Sequence, residues 1–369
     1  MPNRQQRMTD FSQYFHIAHD LSYLNTPGNG LLPSAVKAWR ANFERTFYES
    51  GSMQRDRQGE FLDGVKEQVA EFFDSQVKNT FLVPSFSFAF ISLINQLPAD
   101  FSYLLLQDEY PSLAYPLTVR GLQCFSVSVN SNVEDEILQS VERHRPDVFV
   151  LSLVQYISGL KIDLAFLKQL KTQYPELIIL ADGTQFLGTA AFSFRDSGID
   201  ALAASGYKWL LSGFGNGFIL LSEELSDRLE TDLSDIPPPE APMWKGKTTL
   251  NTIFEPGHQD NIAHGTLRES LRFLHSLGLE NIEQHLQLVS EQAHTMLADR
   301  GLLLPYIAER RIRSPLINIQ VDTAIYPKLV EQGILCYPRG NGIRIGIHLY
   351  NNIADVQKLI ALIEKNYEI

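Results

Sequence analysis

From residue 80 to 222, short runs that are apolar at every position alternate with longer stretches whose apolar residues recur at helical intervals. FLVPS is followed by FAFISLINQL, YLLLQ by SLAYPLTVRG, and CFSVSV by an acidic amphipathic stretch starting near Val133. DVFVLSLV precedes DLAFLKQLKTQY, and LIILAD, ALAAS and GFILLS complete the series. Short, wholly apolar runs predict strands buried on both faces, and the helical period predicts helices between them. This order implies an α/β fold, a mostly parallel sheet sandwiched by helices. Ligands of such sheets bind outside the carboxyl ends of the strands. Ser85, Asp108, Gln155, Asp182 and Ser205 all fall at or just after such ends.

Residues 231–258, TDLSDIPPPEAPMWKGKTTLNTIFEPGH, are rich in proline and polar residues and predict a long connection or lid. A long helix is expected from about Ala263 to Arg300. Then come a strand (SPLINIQ), a helix (IYPKLVEQG), two strands (ILCYP and GIRIGIHL) and a closing helix (ADVQKLIALIEKN), a pattern that suits a smaller α+β domain. YLNTPGNGLLP, with its Pro-Gly and Asn-Gly turns, leads into a helix near Pro33 and is expected to pack between the domains. The expected division is a large domain over 32–258 and a small one made of 1–31 and 259–369.

Composition narrows the function classes. With 44% apolar and 20% charged residues the chain is that of a soluble globular protein, and a net charge of −12 argues against nucleic acid or an anionic membrane as partner. No apolar run approaches the roughly 20 residues that span a bilayer, and MPNRQQRMTDFSQYF lacks the pattern of a signal peptide. Two cysteines, Cys124 and Cys336, argue against a disulfide framework and make a reducing cytoplasm the expected location. The histidines form no HExxH and no Cys/His cluster, so no catalytic metal is expected. Gly213-Phe214-Gly215-Asn216-Gly217 precedes the apolar run FILLS, which fits a turn into a strand better than a dinucleotide loop. No G-x-S-x-G nucleophile elbow occurs.

The informative chemistry is in Ala181-Asp182-Gly183-Thr184-Gln185 and Ser205-Gly206-Tyr207-Lys208-Trp209. One apolar strand ends in an acid, and the next is followed by a lone lysine among apolar neighbours. A lysine amine can form an imine with the aldehyde of pyridoxal 5'-phosphate, while a buried acid keeps the ring nitrogen protonated. A solvated surface lysine and an Asx turn are the ordinary alternatives for the two residues.

In these motifs, and in the order of segments from YLNTPGNG to RIGIHLYNN, the chain resembles the fold-type-I pyridoxal phosphate enzymes of the class V aminotransferase branch. That branch includes cysteine desulfurases, kynureninase and isopenicillin N epimerase-like proteins. The resemblance implies that Lys208 is the Schiff-base lysine, Asp182 the partner of the ring nitrogen, and Gln185 a contact of the ring oxygen. It places Ser85, Ser87, Ser205 and Tyr207 near the cofactor phosphate and Tyr110 over the ring face. Tyr207 stands where the family usually has His, and Ser85-Phe86-Ser87 stands where it has Gly-Thr-Thr. Gln155 or Tyr156 falls where relatives carry an Asn, with the assignment open between them. Gly257-His258 matches a Gly-Thr that reaches the phosphate from a neighbouring subunit, which implies a homodimer with a shared active site. Arg344 matches the clamp of the substrate α-carboxylate, with Arg339 a second arginine in reach, and Asn25 is a further substrate contact. Cys336 lies inside the strand-like ILCYP and not on a loop, so a buried structural cysteine is favoured over a persulfide carrier. The expected activity is a class V aminotransferase acting on an amino acid. A Cβ-lyase, an epimerase and a non-catalytic cofactor-binding relative are the alternatives, and a nicotinamide oxidoreductase is the remaining one.

Overall fold

Seven strands build a central sheet: β1 (Thr80–Val83), β2 (Ser102–Leu106), β3 (Gln123–Val127), β4 (Val148–Ser152), β5 (Ile178–Asp182), β6 (Ala201–Ser205) and β7 (Gly217–Leu221), all largely buried but for the edge strand β3, which exposes Gln123, Cys124 and Ser126. Their spatial order is β1-β7-β6-β5-β4-β2-β3. β7 runs antiparallel to both neighbours, and all other pairs are parallel. This computed structural model describes residues 10–232, 240, 244 and 246–367. Residues 1–9, most of the segment MPNRQQRMTDFSQYF, therefore lie outside the described residues.

Alternate residues of the strands other than β3 feed two different cores. Leu104, Leu106, Phe149, Leu151, Ile179, Ala181, Leu202, Ala204, Phe218 and Leu220 point into one. Tyr103, Leu105, Val148, Val150, Ile178, Leu180, Ala201, Ala203, Ile219 and Leu221 point into the other. Strand side chains alternate between faces, so a sheet covered on both sides needs apolar residues at every position. The first face is covered by helices that include α2 (Gln58–Phe72), α5 (Val133–His144), α6 (Leu164–Gln173) and α9 (Asn261–Leu277), through residues such as Val69, Ile137, Leu167 and Leu271. The second is covered by α3 (Phe86–Ile94), α4 (Pro111–Val119), α7 (Glu223–Asp232) and α8 (Thr249–Phe254), through Phe90, Leu117, Leu229 and Phe254. The longest remaining helix before them, α1 (Ser34–Ser50), starts right after Pro33 as expected.

A third core is smaller. It gathers β8 (Leu316–Ile319) and β10 (Gly342–Gly346) with α10 (Leu279–Ala298) and α11 (Ile353–Tyr367) around Ile317, Ile343, Val289 and Leu359. With β9 (Tyr337–Arg339) these strands form an antiparallel sheet in the order β9-β10-β8. Among the described residues no helix is long and apolar enough to cross a membrane.

Three expectations are revised. The single helix over 263–300 is two, α9 and α10, because Gly278 adopts φ 80°, outside the helical region and open to glycine alone at little cost. ILCYP is not one strand. Ile334–Leu335 pairs with Ser22–Tyr23, Tyr337–Arg339 pairs with β10, and Cys336 is buried between them. The connection over 231–258 contains α8, opened by a capping box between Thr248 and Asn251. Its residues 233–239, 241–243 and 245 lie outside the described set.

The segment after Tyr23 touches both sheets. Leu24 is in the third core and Asn25 bridges to Gly346. Gly30 N–H donates to Tyr207 O at 2.8 Å. A Cβ on Gly30 would sit 2.0 Å from the carbonyl oxygen of Lys208, so only glycine lets the two backbones approach. Gly30→Ala is expected to destabilise the fold by about 1–3 kcal/mol, the range for overpacking a tight contact. Chemical denaturation reads this directly, and wild-type stability in the variant would contradict it.

Candidate active site

The turn that carries Lys208 follows β6 at the carboxyl end of the parallel strands. Gly206 makes the turn possible: a Cβ there would meet Asn216 Oδ1 and Ser212 Oγ at 2.1 Å each. Trp209, fully buried, anchors the next residue, its Nε1–H donating to Gln185 Oε1 at 2.7 Å. His348 lies over the Trp209 ring and bonds the Trp209 carbonyl at 3.0 Å. Lys208 is thereby held in place by its neighbours while its own side chain, 7% exposed, reaches a cavity. Its Nζ lies 5.6 Å from the Tyr110 ring centre and 5.5 Å from that of Tyr207. Among the described residues it makes no hydrogen bond. Burial pushes the amine down to about 8, with Asp182 opposing the shift and Arg344 and Arg339 adding to it.

Around Lys208 the cavity is lined by Ser85, Ser87, Tyr110, Asp182, Gln185, Ser205 and Tyr207, all expected from the sequence, together with Phe86, Ser152, Val154, Tyr156 and Thr184. It has about 90 Å³ of space. A roomier cleft of about 400 Å³, lined by Asp74, Lys171, Asp200 and Glu223, lies at the amino ends of the parallel strands, where such sheets do not bind their ligands.

Asp182 ends β5, and Oδ1 accepts the Thr184 N–H at 2.8 Å. The Asx turn and the cavity position thus coexist. Burial raises its carboxyl above the usual range, against the Thr184 hydrogen bonds and the charge of Lys208. Ser205 Oγ accepts the Phe86 N–H at 2.9 Å and Ser85 Oγ accepts the Phe88 N–H at 3.3 Å, so two serines cap the first turn of α3. Ser87 Oγ donates to Ser112 at 2.8 Å. Helix N-terminal N–H groups with hydroxyls around them are suited to a phosphate.

Other residues are more committed than expected. Gln185 accepts from Trp209 and donates to Pro27 O at 3.1 Å, which leaves one amide N–H for a ligand. Gln155 is a strut: Nε2 donates to Asp108 O, and Oε1 accepts from the N–H groups of Ile157 and Ser158. Tyr156, its neighbour, faces the cavity and meets the Tyr110 ring edge-on at 5.2 Å. Arg344 is buried on β10; Nη1 donates to Tyr156 O at 2.8 Å while Nε has no partner. A buried guanidinium nitrogen without an acceptor is costly, and Arg344 itself is not among the residues that line the cavity. Arg339 is exposed on β9. Asn25, half-buried, is not among the residues lining the cavity; its buried Oδ1 has no partner.

Within one chain His258 is outside this cavity. It bonds Gln58 at 2.8 Å and lines a separate groove with Phe43, Phe47 and Arg55, so it could act only on the site of another copy. Cys336 is in the third core, its thiol pushed up to about 12 by burial, and neither cysteine lines the cavity. Among the described residues no His, Cys, Asp or Glu cluster could hold a metal.

Sequence reasoning missed Glu109 and Ser152. It placed Asp108 at the strand end, yet Asp108 is exposed with φ 55°. That left-handed residue turns the chain so that Glu109 points inward. Burial pushes the Glu109 carboxyl up to about 7, against hydrogen bonds from Ser152 and Tyr110, with Asp182 adding to the rise. The positive φ is invisible in the sequence, since Asp adopts it only when context demands.

Residues 33–359 match the model of the family described as aminotransferase class-V. The chain is 24% identical over 310 residues to the uncharacterized aminotransferase YcbU of Bacillus subtilis (strain 168), covering 80% of this chain and 81% of that protein. Among solved structures it is similar to a cysteine desulfurase from Thermococcus onnurineus NA1, with TM-score 0.82, 14% identity and 99% of each chain covered. It is also similar to the cystine C-S lyase C-DES, with TM-score 0.79, 18% identity, and 93% of this chain and 97% of that one covered. At these identities the structural likeness speaks for the fold.

Proposed function

We propose, from the premise that this chain belongs to the class V aminotransferase family, that it is a pyridoxal 5'-phosphate enzyme that transaminates an amino acid. The observation that carries this reading is the buried amine of Lys208, free of hydrogen bonds, in one cavity with the buried carboxyl of Asp182. The site fits the cofactor in its donor set: an amine for the aldehyde, an acid for the ring nitrogen, and a serine-lined helix N-terminus for the phosphate. Pyridoxal phosphate, when bound, supplies an electron-accepting ring that stabilises negative charge at the substrate Cα.

The chain's own residues do the rest. Ser85, Ser87 and Ser205 hold the phosphate with the first turn of α3, and the Tyr207 hydroxyl adds a neutral donor where a cation would be stronger. Tyr110 flanks the ring, and the remaining Gln185 N–H serves the ring oxygen. Asp182, as an anion, retains the proton on the ring nitrogen. Lys208 would hold the cofactor through its amine, and the same amine, when free, would accept the substrate Cα proton. Arg344, outside the cavity lining but bonded to the carbonyl of Tyr156 on its wall, would hold the substrate carboxylate, and Asn25, also outside the lining, is assigned to the substrate by the resemblance alone.

The depressed lysine has a measurable consequence. Only the neutral amine attacks an aldehyde, and burial sets its midpoint at about 8. The rate at which cofactor-free protein gains visible absorbance with added cofactor is expected to rise with pH through about 8 and level above it. A rate still climbing near about pH 10, where an ordinary lysine titrates, would contradict this.

The working protein is proposed to be a cytoplasmic homodimer of two-domain chains; the division expected at residues 32 and 258 is crossed by α9, whose Leu267 and Leu271 pack in the core of the central sheet. The unpaired state of Cys124 and Cys336 suits a reducing compartment. Phe47, Tyr48 and Met53 are exposed beside the groove that holds His258, an apolar surface suited to a second copy. Light scattering is expected to give the dimer mass, and His258→Ala to weaken cofactor binding without changing that mass; a monomer would refute the shared site. An amino-acid panel with and without a keto-acid acceptor tests the reaction. Product that requires the acceptor supports transamination, whereas alanine or pyruvate formed without it would assign a lyase.

A further inference from the structure

Among the described residues four acidic side chains are buried: Glu109, Asp182, Asp200 and Glu255. Two of them are neutralised in the ordinary way, Asp200 by Lys171 at 2.9 Å and Glu255 by Lys66 at 2.6 Å. Asp182 shares its cavity with Lys208. Both Asp182 and Glu109 accept only from neutral donors, but Glu109 has no cation acting on it. Its Oε1 accepts the Ser152 N–H at 2.8 Å, and Oε2 accepts the Ser152 hydroxyl at 2.6 Å and the Tyr110 N–H at 3.2 Å. Ser152 is the register partner of Asp182 on the neighbouring strand, and both residues line the cavity.

The ionisable groups facing this end of the sheet are few. Asp182 comes from β5, Lys208 and Tyr207 from the turn after β6, Tyr110 from the loop that carries Glu109, and Tyr156 from the loop after β4. Arg344 and Arg339 act on Lys208 from β10 and β9. Of the two buried acids, Asp182 feels the charge of Lys208, whereas the charge that acts on Glu109 is that of Asp182. Like charges in one buried site raise each other's affinity for a proton, and a cation placed beside them lowers it.

We propose that Glu109 is a positioning residue for the cofactor: it fixes Ser152 and the backbone of Tyr110 and, together with Asp182, forms a paired acidic site that favours a protonated ring nitrogen. This rests on the functional reading given above. Glu109 touches neither substrate nor reacting atoms, and it acts through Tyr110, whose ring flanks the cofactor, and through the field it shares with Asp182. Its removal lowers the proton affinity of every cationic group nearby.

The test compares the cofactor-loaded wild type with Glu109→Gln, Glu109→Asp and Ser152→Ala. For each, the pH midpoint of the visible cofactor band, the cofactor dissociation constant and the melting temperature are measured. Glu109→Gln is expected to lower the midpoint by about 0.5–1 pH unit. Glu109→Asp, which restores the charge, is expected to bring it back towards wild type. Ser152→Ala removes a donor to ionised Glu109 and is expected to shift the midpoint in the same direction as Glu109→Gln, by less. Coloured wild type with an unmoved midpoint in Glu109→Gln overturns this inference alone, even where melting temperature or affinity falls. If Glu109→Gln does not fold, an unmoved midpoint in Ser152→Ala overturns it. A wild type that gains no colour overturns the functional reading and this one with it.

Discussion

Lys208→Ala protein is expected to carry no imine-linked cofactor colour once free pyridoxal phosphate, itself yellow, has been removed, and to lose amino-acid turnover by about 10²–10⁴-fold or more. That range is the usual contribution of a positioned proton-transfer group, and here the link to the cofactor is lost as well. The fold should survive. Burial of the amine at 7% exposure costs free energy, shown by its depression to about 8, and removing a buried amine that makes no hydrogen bond relieves that cost. Melting temperature is therefore expected to be unchanged or raised. Retained colour and turnover would remove Lys208 from the centre of the site, and a collapsed melting temperature would make it a structural residue.

Asp182→Asn is expected to fold and still bind cofactor, but to lose about 10²–10³ in turnover. This is the scale for removing one preorganised electrostatic contact to developing charge. Asn keeps the shape and can still accept the Thr184 N–H, so the Asx turn survives. What disappears is the negative charge. Asp182 raises the proton affinity of Lys208, against the larger effect of burial. Without it the lysine midpoint falls below about 8, and the pH profile of cofactor capture moves to lower pH. A turnover loss with an unmoved profile would mean that the acid acts on the ring nitrogen alone; no loss would remove Asp182 from the machinery.

How far the sequence reaches is clear from particular residues. The two buried faces of the sheet were legible because both faces need apolar residues, as Leu104 and Leu105 show by entering different cores. Lys208 and Asp182 were legible because a lysine and an acid at strand ends among apolar neighbours are costly anywhere except in a site. The break at Gly278 was not legible, since an isolated glycine is tolerated in a helix and its φ of 80° is chosen by the packing of α9 and α10. Gln155 and Tyr156 could not be told apart, because a shift of one residue exchanges a buried strut for a cavity wall.

The sequence alone determined the α/β layering, the pairing of Lys208 with Asp182 and the resemblance that names the cofactor. Each rests on local periodicity or on motifs contiguous in the chain. Only the tertiary structure decided which polar groups already have partners. It bound Gln155 to Asp108 and its own loop and left one edge of Arg344 open. It also turned Glu109 inward at the strained Asp108 to lie against Ser152. Hydrogen-bond satisfaction is a property of groups far apart in sequence, and the proton affinities of the site depend on burial that no single segment specifies.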